Sequence, residues 1–172
     1  MDNMIITENL WKEIVPYKED IAWFNKKFTT GIADLQEVLD ELAKISDGWP
    51  LMCTILEKIP PSKTVIELDN LNCETKAFAG DLIVNGDLYC EGSILVAGGL
   101  KVKGEVNTKS SLIANLYKEG CAMKNIMVGG NINIGWRFKS NGDVIAGGEV
   151  NTPHFHHEIK GKVYKNYHIE GW

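Results

Sequence analysis

A glycine every six residues constrains this chain more than any other feature. Gly80, Gly86, Gly92, Gly98 and Gly104 open the successive strings GDLIVN, GDLYCE, GSILVA, GGLKVK and GEVNTK. In each string the third and fifth places fall on one side: Leu82/Val84, Leu88/Cys90, Ile94/Val96, Leu100/Val102, then Val106 with Thr108. Two alternating inward residues make a very short strand, and glycine lets the chain turn a corner without a Cβ clash. Strands that short pair poorly in a hairpin sheet, and one unit cannot bury its apolar side alone. Successive units must therefore stack.

The pattern continues through SSLIAN (Leu112, Ala114), and its frame then slips by two residues around Leu116-Tyr117. It resumes as KEGCAM, KNIMVG, GNINIG, WRFKSN, GDVIAG and GEVNTP over residues 118–153. The inward positions there are Ala122, Ile126/Val128, Ile132/Ile134, Phe138, Val144/Ala146 and Val150/Thr152, with Gly130, Gly142 and Gly148 at corners. The strings MVGG (127–130) and IAGG (145–148) lie 18 residues apart, which is the length of a three-unit coil. Twelve units then predict four coils, a column roughly 19 Å tall at ~4.8 Å per coil. Residues 62–79 predict an irregular first coil through Val65/Ile66, Leu68, Leu71, Cys73 and Phe78. The tail EIKGKVYKNYHIEGW predicts strands that finish the column (Val163, Tyr167, Ile169), with Trp172 covering apolar surface.

The N-terminal region has a different period. Thr7 is a helix N-cap ahead of Leu10, Trp11, Ile14, Ile21, Phe24 and Phe28, and Pro16 should kink or divide that segment. A second helix follows from Leu35, Val38, Leu39, Leu42 and Ile45, and a third, after Asp47, from Met52, Ile55, Leu56 and Ile59, stopped by Pro60-Pro61. The fold expected is α+β: a helical N-terminal unit, 1–61, acting as a cap, then a single-stranded parallel β-helix, 62–172, with C-terminal capping strands. The helical aromatics are read as core.

The run GDLIVNGDLYCEGSILVAGGLKVKGEV, and its continuation to about residue 152, resembles the bactofilins, bacterial polymer-forming cytoskeletal proteins. That resemblance implies a right-handed β-helix that stacks end to end without nucleotide. Bactofilins flank their solenoid with short flexible tails, whereas this chain carries a helical unit. Helices over the open coil edge would block head-to-head growth. Hexapeptide acyltransferases match less well, because their second inward position is small and here it holds Leu88, Ile94 and Leu100.

The net charge of −5 divides into −6 over residues 1–79 and +1 over 80–172, and neither half clusters Lys or Arg. That argues against a nucleic-acid or membrane-surface partner. No stretch approaches the ~20 apolar residues of a membrane span. The start MDNMIITENLWKEI lacks the basic and apolar regions of a secretion signal, so a cytoplasmic location is expected. Cys53, Cys73, Cys90 and Cys121 form no CxxC pair and read as reduced thiols.

The one cluster able to carry chemistry is HFHH, where His154, His156 and His157, with His168 beyond, are weak candidates for a metal site. Glu158 beside them is a minor candidate for acid–base work. No GxSxG, P-loop or HExxH occurs, so no catalytic residue and no cofactor is expected. Asp81, Asp87, Asp143, Asn85 and Asn141 sit beside corners, where Asx residues tolerate turn geometry. Ile83, Tyr89 and Leu95 are apolar yet point outward, which suggests an interface or cover by the helical unit. The expectation is a non-enzymatic scaffold or protein-interaction module, acting on a protein partner or by self-association. The alternatives are a specific protein-binding inhibitor such as an immunity protein, using the acidic helical face, and an acyltransferase-like enzyme.

Overall fold

The computed structural model describes residues 4–15, 17–117, 125–152 and 157–170, with only the backbone of His157. Its helical unit starts with β1 (Ile5–Thr7) and α1 (Glu8–Ile14), begun by the Thr7 side chain, which accepts the N–H of Leu10 at 3.2 Å. Then come α2 (Lys18–Lys27), β2 (Ile32–Asp34), α3 (Leu35–Leu42) and α4 (Gly48–Lys58). The first apolar segment is divided on either side of Pro16, a residue outside those described, as expected, and the described residues hold four helices where three were counted. Trp11 stacks on Phe24 at 4.9 Å and its indole N–H donates to the Asp20 carbonyl at 3.0 Å, so the aromatics do form core. β1 and β2 pair antiparallel, a contact too short to show as alternation in the sequence.

The rest is a parallel β-solenoid. Its first coil is β3 (Val65–Leu68), β4 (Leu71–Cys73) and β5 (Lys76–Phe78), and its second is β6 (Asp81–Val84), β7 (Leu88–Cys90) and β8 (Ile94–Val96). The third is β9 (Leu100–Val102), β10 (Val106–Thr108) and β11 (Leu112–Ala114), and the fourth β12 (Ile126–Val128), β13 (Ile132–Ile134) and β14 (Phe138–Ser140). β15 (Val144–Ala146), β16 (Val150–Asn151) and β17 (His157–Ile159) make a fifth, and β18 (Val163–Tyr164) extends one sheet further. Three sheets result: a first face β18-β15-β12-β9-β6-β3, a second β16-β13-β10-β7-β4, and a third β17-β14-β11-β8-β5. The interior is the apolar stack foreseen, with Leu82, Leu100, Ile126 and Val144 all fully buried along the first face.

The coil length is 18 where Leu82 pairs with Leu100, Leu88 with Val106 and Ile94 with Leu112. Met127 of MVGG pairs with Ile145 of IAGG, as that spacing requires. The slip is larger than two residues, however. Leu112 pairs with Phe138, 26 residues on, so the interval between β11 and β12 carries eight residues beyond the coil length. The expected KEGCAM unit, 118–123, and its inward residue Ala122 lie outside the described residues. Departure occurs at Asn115, whose φ of 63° turns the chain away while its N–H still bonds Val96 at 3.0 Å. The first coil, expected to be irregular, is shorter: Ile66 pairs with Leu82 and Leu71 with Leu88.

Among the described glycines only Gly31 has a positive φ, so the corners do not depend on left-handed backbone. The need is for space between coils. A Cβ on Gly98 would lie 2.1 Å from Asp81 Oδ1, and one on Gly104 2.0 Å from Asp87 Oδ1. Those carboxylates accept the N–H of Gly99 at 2.7 Å and of Glu105 at 2.8 Å, and Asp143 accepts that of Lys162 at 2.8 Å. Asp81 and Asp87 thus tie the second coil to the third, and Asp143 ties the fifth to the segment after it, which adds a bond between coils to their place at the turns.

The helical unit lies along the third face. Outward Ala77, Leu95 and Ile113 share one buried cluster with Leu35, Val38, Leu39, Leu42, Ile55 and Leu56. The Gln36 amide donates to Ala77 O and accepts from Ala79 N, both at 2.8 Å, so a side chain replaces a missing rung at the edge of β5. Lys76 reaches Asp40 at 2.6 Å, and Lys139 reaches Glu57 of α4 at 2.7 Å. The cap thus covers the third face and the edge of β5, and Met4, Leu35 and Gln36 also border Ser62 and Ile66 of the first coil. Among the described residues no strand lies beyond β3 and β4 in their sheets.

Candidate interaction surfaces

Three surfaces differ in what they leave open. The third face is covered, and Leu95, one of the outward apolar residues expected at an interface or under the helical unit, is fully buried beneath the helices. It belongs to the internal joint between helical unit and column, because a small row of Ala77, Leu95 and Ile113 gives α3 and α4 a flat apolar bed. It is not an external contact.

On the first face Ile83 is half-buried, in register with Glu67, Lys101, Met127 and Ile145. A shallow depression of about 180 Å³ joins Ile83 to Val65, Lys101 and Met127. Apolar exposure is greatest at the edge, where Val65 is 53% exposed. The inward residues Ile66, Leu68, Leu71 and Cys73 are only half-buried, whereas their counterparts in the second coil, Leu82, Val84, Leu88 and Cys90, are fully buried. The interior of the column is thus partly open at its first coil. At the other end the chain supplies cover: Asn166 N–H bonds Gly148 O and Tyr167 N–H bonds Ala146 O, each at 3.0 Å.

The second face is polar. Its outward row runs Asn72, Tyr89, Asn107, Asn133, Asn151. Asn133 Nδ2 donates to Asn107 Oδ1 at 2.7 Å, and Asn151 Nδ2 to Asn133 Oδ1 at 2.8 Å. Half-buried Tyr89 donates to Glu91, which also pairs with Lys109, and that ammonium lies 6.0 Å from the Tyr89 ring centre. The Lys109 and Tyr89 hydrogen bonds hold the Glu91 carboxyl below the ordinary carboxylate range. The asparagine row was not foreseen, because the partners stand 26 and 18 residues apart and only coil pairing brings them together.

The expected metal candidates His154 and His156 lie outside the described residues, and His157 is placed as backbone in β17, opposite Phe138. Among the described residues no three His, Cys, Asp or Glu side chains gather around one point. Glu158 is bound to Arg137 and lies 3.5 Å from Lys139, so it serves an ion-pair cluster at the helix–column joint. The acidic helical face is partly neutralised within the chain, with Asp40 on Lys76 and Glu41 on both Lys27 and Lys44.

Cys73 and Cys90 are in register on stacked strands, and the Cys90 thiol donates to Glu74 O at 2.7 Å. The neighbouring Cys73 thiol and then burial raise the Cys90 thiol, while Cys90 beside it holds Cys73 below the usual thiol value. Burial pushes Cys53 up to about 12. No helix among the described residues is long and apolar enough to cross a membrane. Comparison with protein-family models, curated proteins and solved structures found no match to this chain.

Proposed function

We propose that this protein is a non-enzymatic scaffold that self-associates through the open first coil of its column, two copies meeting end to end. The observation that carries the reading is the contrast within one stack: Leu71 and Cys73 are half-exposed, while Leu88 and Cys90, one coil further, are fully buried. A strand edge above an apolar interior is a template for another chain. The same patch on two copies makes an isologous contact, which closes as a dimer. The resemblance of residues 80–152 to bactofilins supports end-on stacking, and the tail bonds of Asn166 and Tyr167 favour a dimer over a filament.

Light scattering over a concentration series tests it. Wild type should move from one to two chain masses as concentration rises. Val65→Lys, on an exposed edge residue, should hold the chain monomeric with its circular dichroism unchanged. A single chain mass at every concentration would remove the proposal.

A further inference from the structure

The second face carries a groove that self-association at the first coil does not use. It encloses about 650 Å³ and is lined by Tyr89, Asn107, Lys109, Asn133, Asn151 and Thr152 among others. We propose that this groove binds an extended, uncharged oligosaccharide running along the column axis.

Three features lead to that chemistry. First, the floor is a row of planar amides at the coil repeat of ~4.8 Å, close to the length of one hexopyranose residue in an extended glycan. Each ladder bond uses one N–H and one acceptor site, so an amide keeps a second N–H and a second lone pair for hydroxyl groups. The ladder also fixes the amides: Asn133 is held from both sides, by Asn107 at 2.7 Å and Asn151 at 2.8 Å. Little side-chain entropy is then left to lose on binding.

Second, an aromatic ring stands at one end of the row. Tyr89 is in register directly beside Asn107, and its hydroxyl is tied to Glu91. The ring is fixed by its hydroxyl and carries the Lys109 ammonium 6.0 Å over one face, and an aromatic face accepts the C–H-rich side of a sugar while flanking amides take the hydroxyls.

Third, the groove has no charge to spare. Among the described residues Lys109 is the one ionic side chain in its lining, and that ammonium is already paired with Glu91. An anionic ligand would meet the Glu91 carboxylate beside that ammonium, and a neutral one would not be repelled by it. Structural ladders of asparagine occur in stacked strands for their own sake, but they require neither a fixed aromatic ring nor a groove beside them.

Titration of the full chain with cellotetraose and tetra-N-acetylchitotetraose, followed by side-chain amide NMR signals, tests the proposal. Millimolar saccharide should shift the Asn107, Asn133 and Asn151 amide signals. Tyr89→Ala should weaken binding about tenfold without lowering the thermal midpoint. Asn133→Leu, which removes the central amide, should abolish the response. If neither tetrasaccharide shifts these signals, or if Tyr89→Ala binds as well as wild type, the groove is only a structural ladder. Val65→Lys should bind saccharide normally, which separates this result from the fate of the self-association.

Discussion

Gln36 closes the column where the polypeptide does not: its amide accepts from Ala79 N–H and donates to Ala77 O, both at 2.8 Å. Ala79 is 4% exposed, so its N–H has little access to water as a substitute. Gln36→Ala should cost about 1–3 kcal/mol, the penalty for buried groups left unpaired. Chemical denaturation measures this directly. A loss no larger than that of an exposed helical substitution would show that the edge of β5 does not need the amide.

A second prediction concerns the corners. Gly104→Ala puts a methyl 2.0 Å from Asp87 Oδ1 and 2.9 Å from the Gly86 carbonyl, and should destabilise by about 1–3 kcal/mol, as overpacking does. Asp87→Ala loses the bond to Glu105 N–H but removes the nearest obstacle. The double variant should therefore be less destabilised than the two single losses combined. Strict additivity would show that the clash lies wholly with backbone.

A third concerns acid. The Arg137 hydrogen bond, against a smaller opposing effect of burial, holds Glu158 below its ordinary value of 4.5. A lowered carboxyl contributes stability that is fully present above 4.5 and is lost as pH falls through the folded value. The thermal midpoint should thus fall between about pH 6 and about pH 3, and fall less in Glu158→Gln. Glu158 is half-exposed, so solvent screening keeps the difference small. Lys139 acts at the other extreme. Burial pulls it down, but the Glu57 hydrogen bond and the Glu57 and Glu158 charges raise it overall above 10.5. Its contribution is present below 10.5 and fades as pH rises through the folded value.

A fourth concerns thiols. Because Cys73 is half-exposed with a lowered value while Cys53 is pushed up to about 12, iodoacetamide near neutral pH should modify Cys73 well before Cys53 or Cys90. Peptide mapping by mass spectrometry reads the order. Equal rates at the three positions would contradict the placement of Cys73 at the open coil.

Much of this was legible in the sequence because each hexad reports its own inward pair. Leu82, Leu88, Ile94 and Leu100 sit where the six-residue frame puts them. The eight-residue insertion was hidden because KEGCAM has a glycine and small apolar residues that imitate a hexad. Leu95 was read correctly as outward, yet nothing local distinguishes a residue facing water from one facing a helix bed. Gln36 carried no signal, since its meaning depends on an edge 41 residues away. The asparagine row depended on knowing the true register across the insertion.

The most direct test of the central claim is hydrogen exchange of β3 and β4, Val65–Leu68 and Leu71–Cys73, in dilute and in concentrated protein. If the open first coil is the contact, amides of these strands become protected as concentration rises, while those of β16 and β17 do not change. Protection that is the same at both concentrations would contradict it.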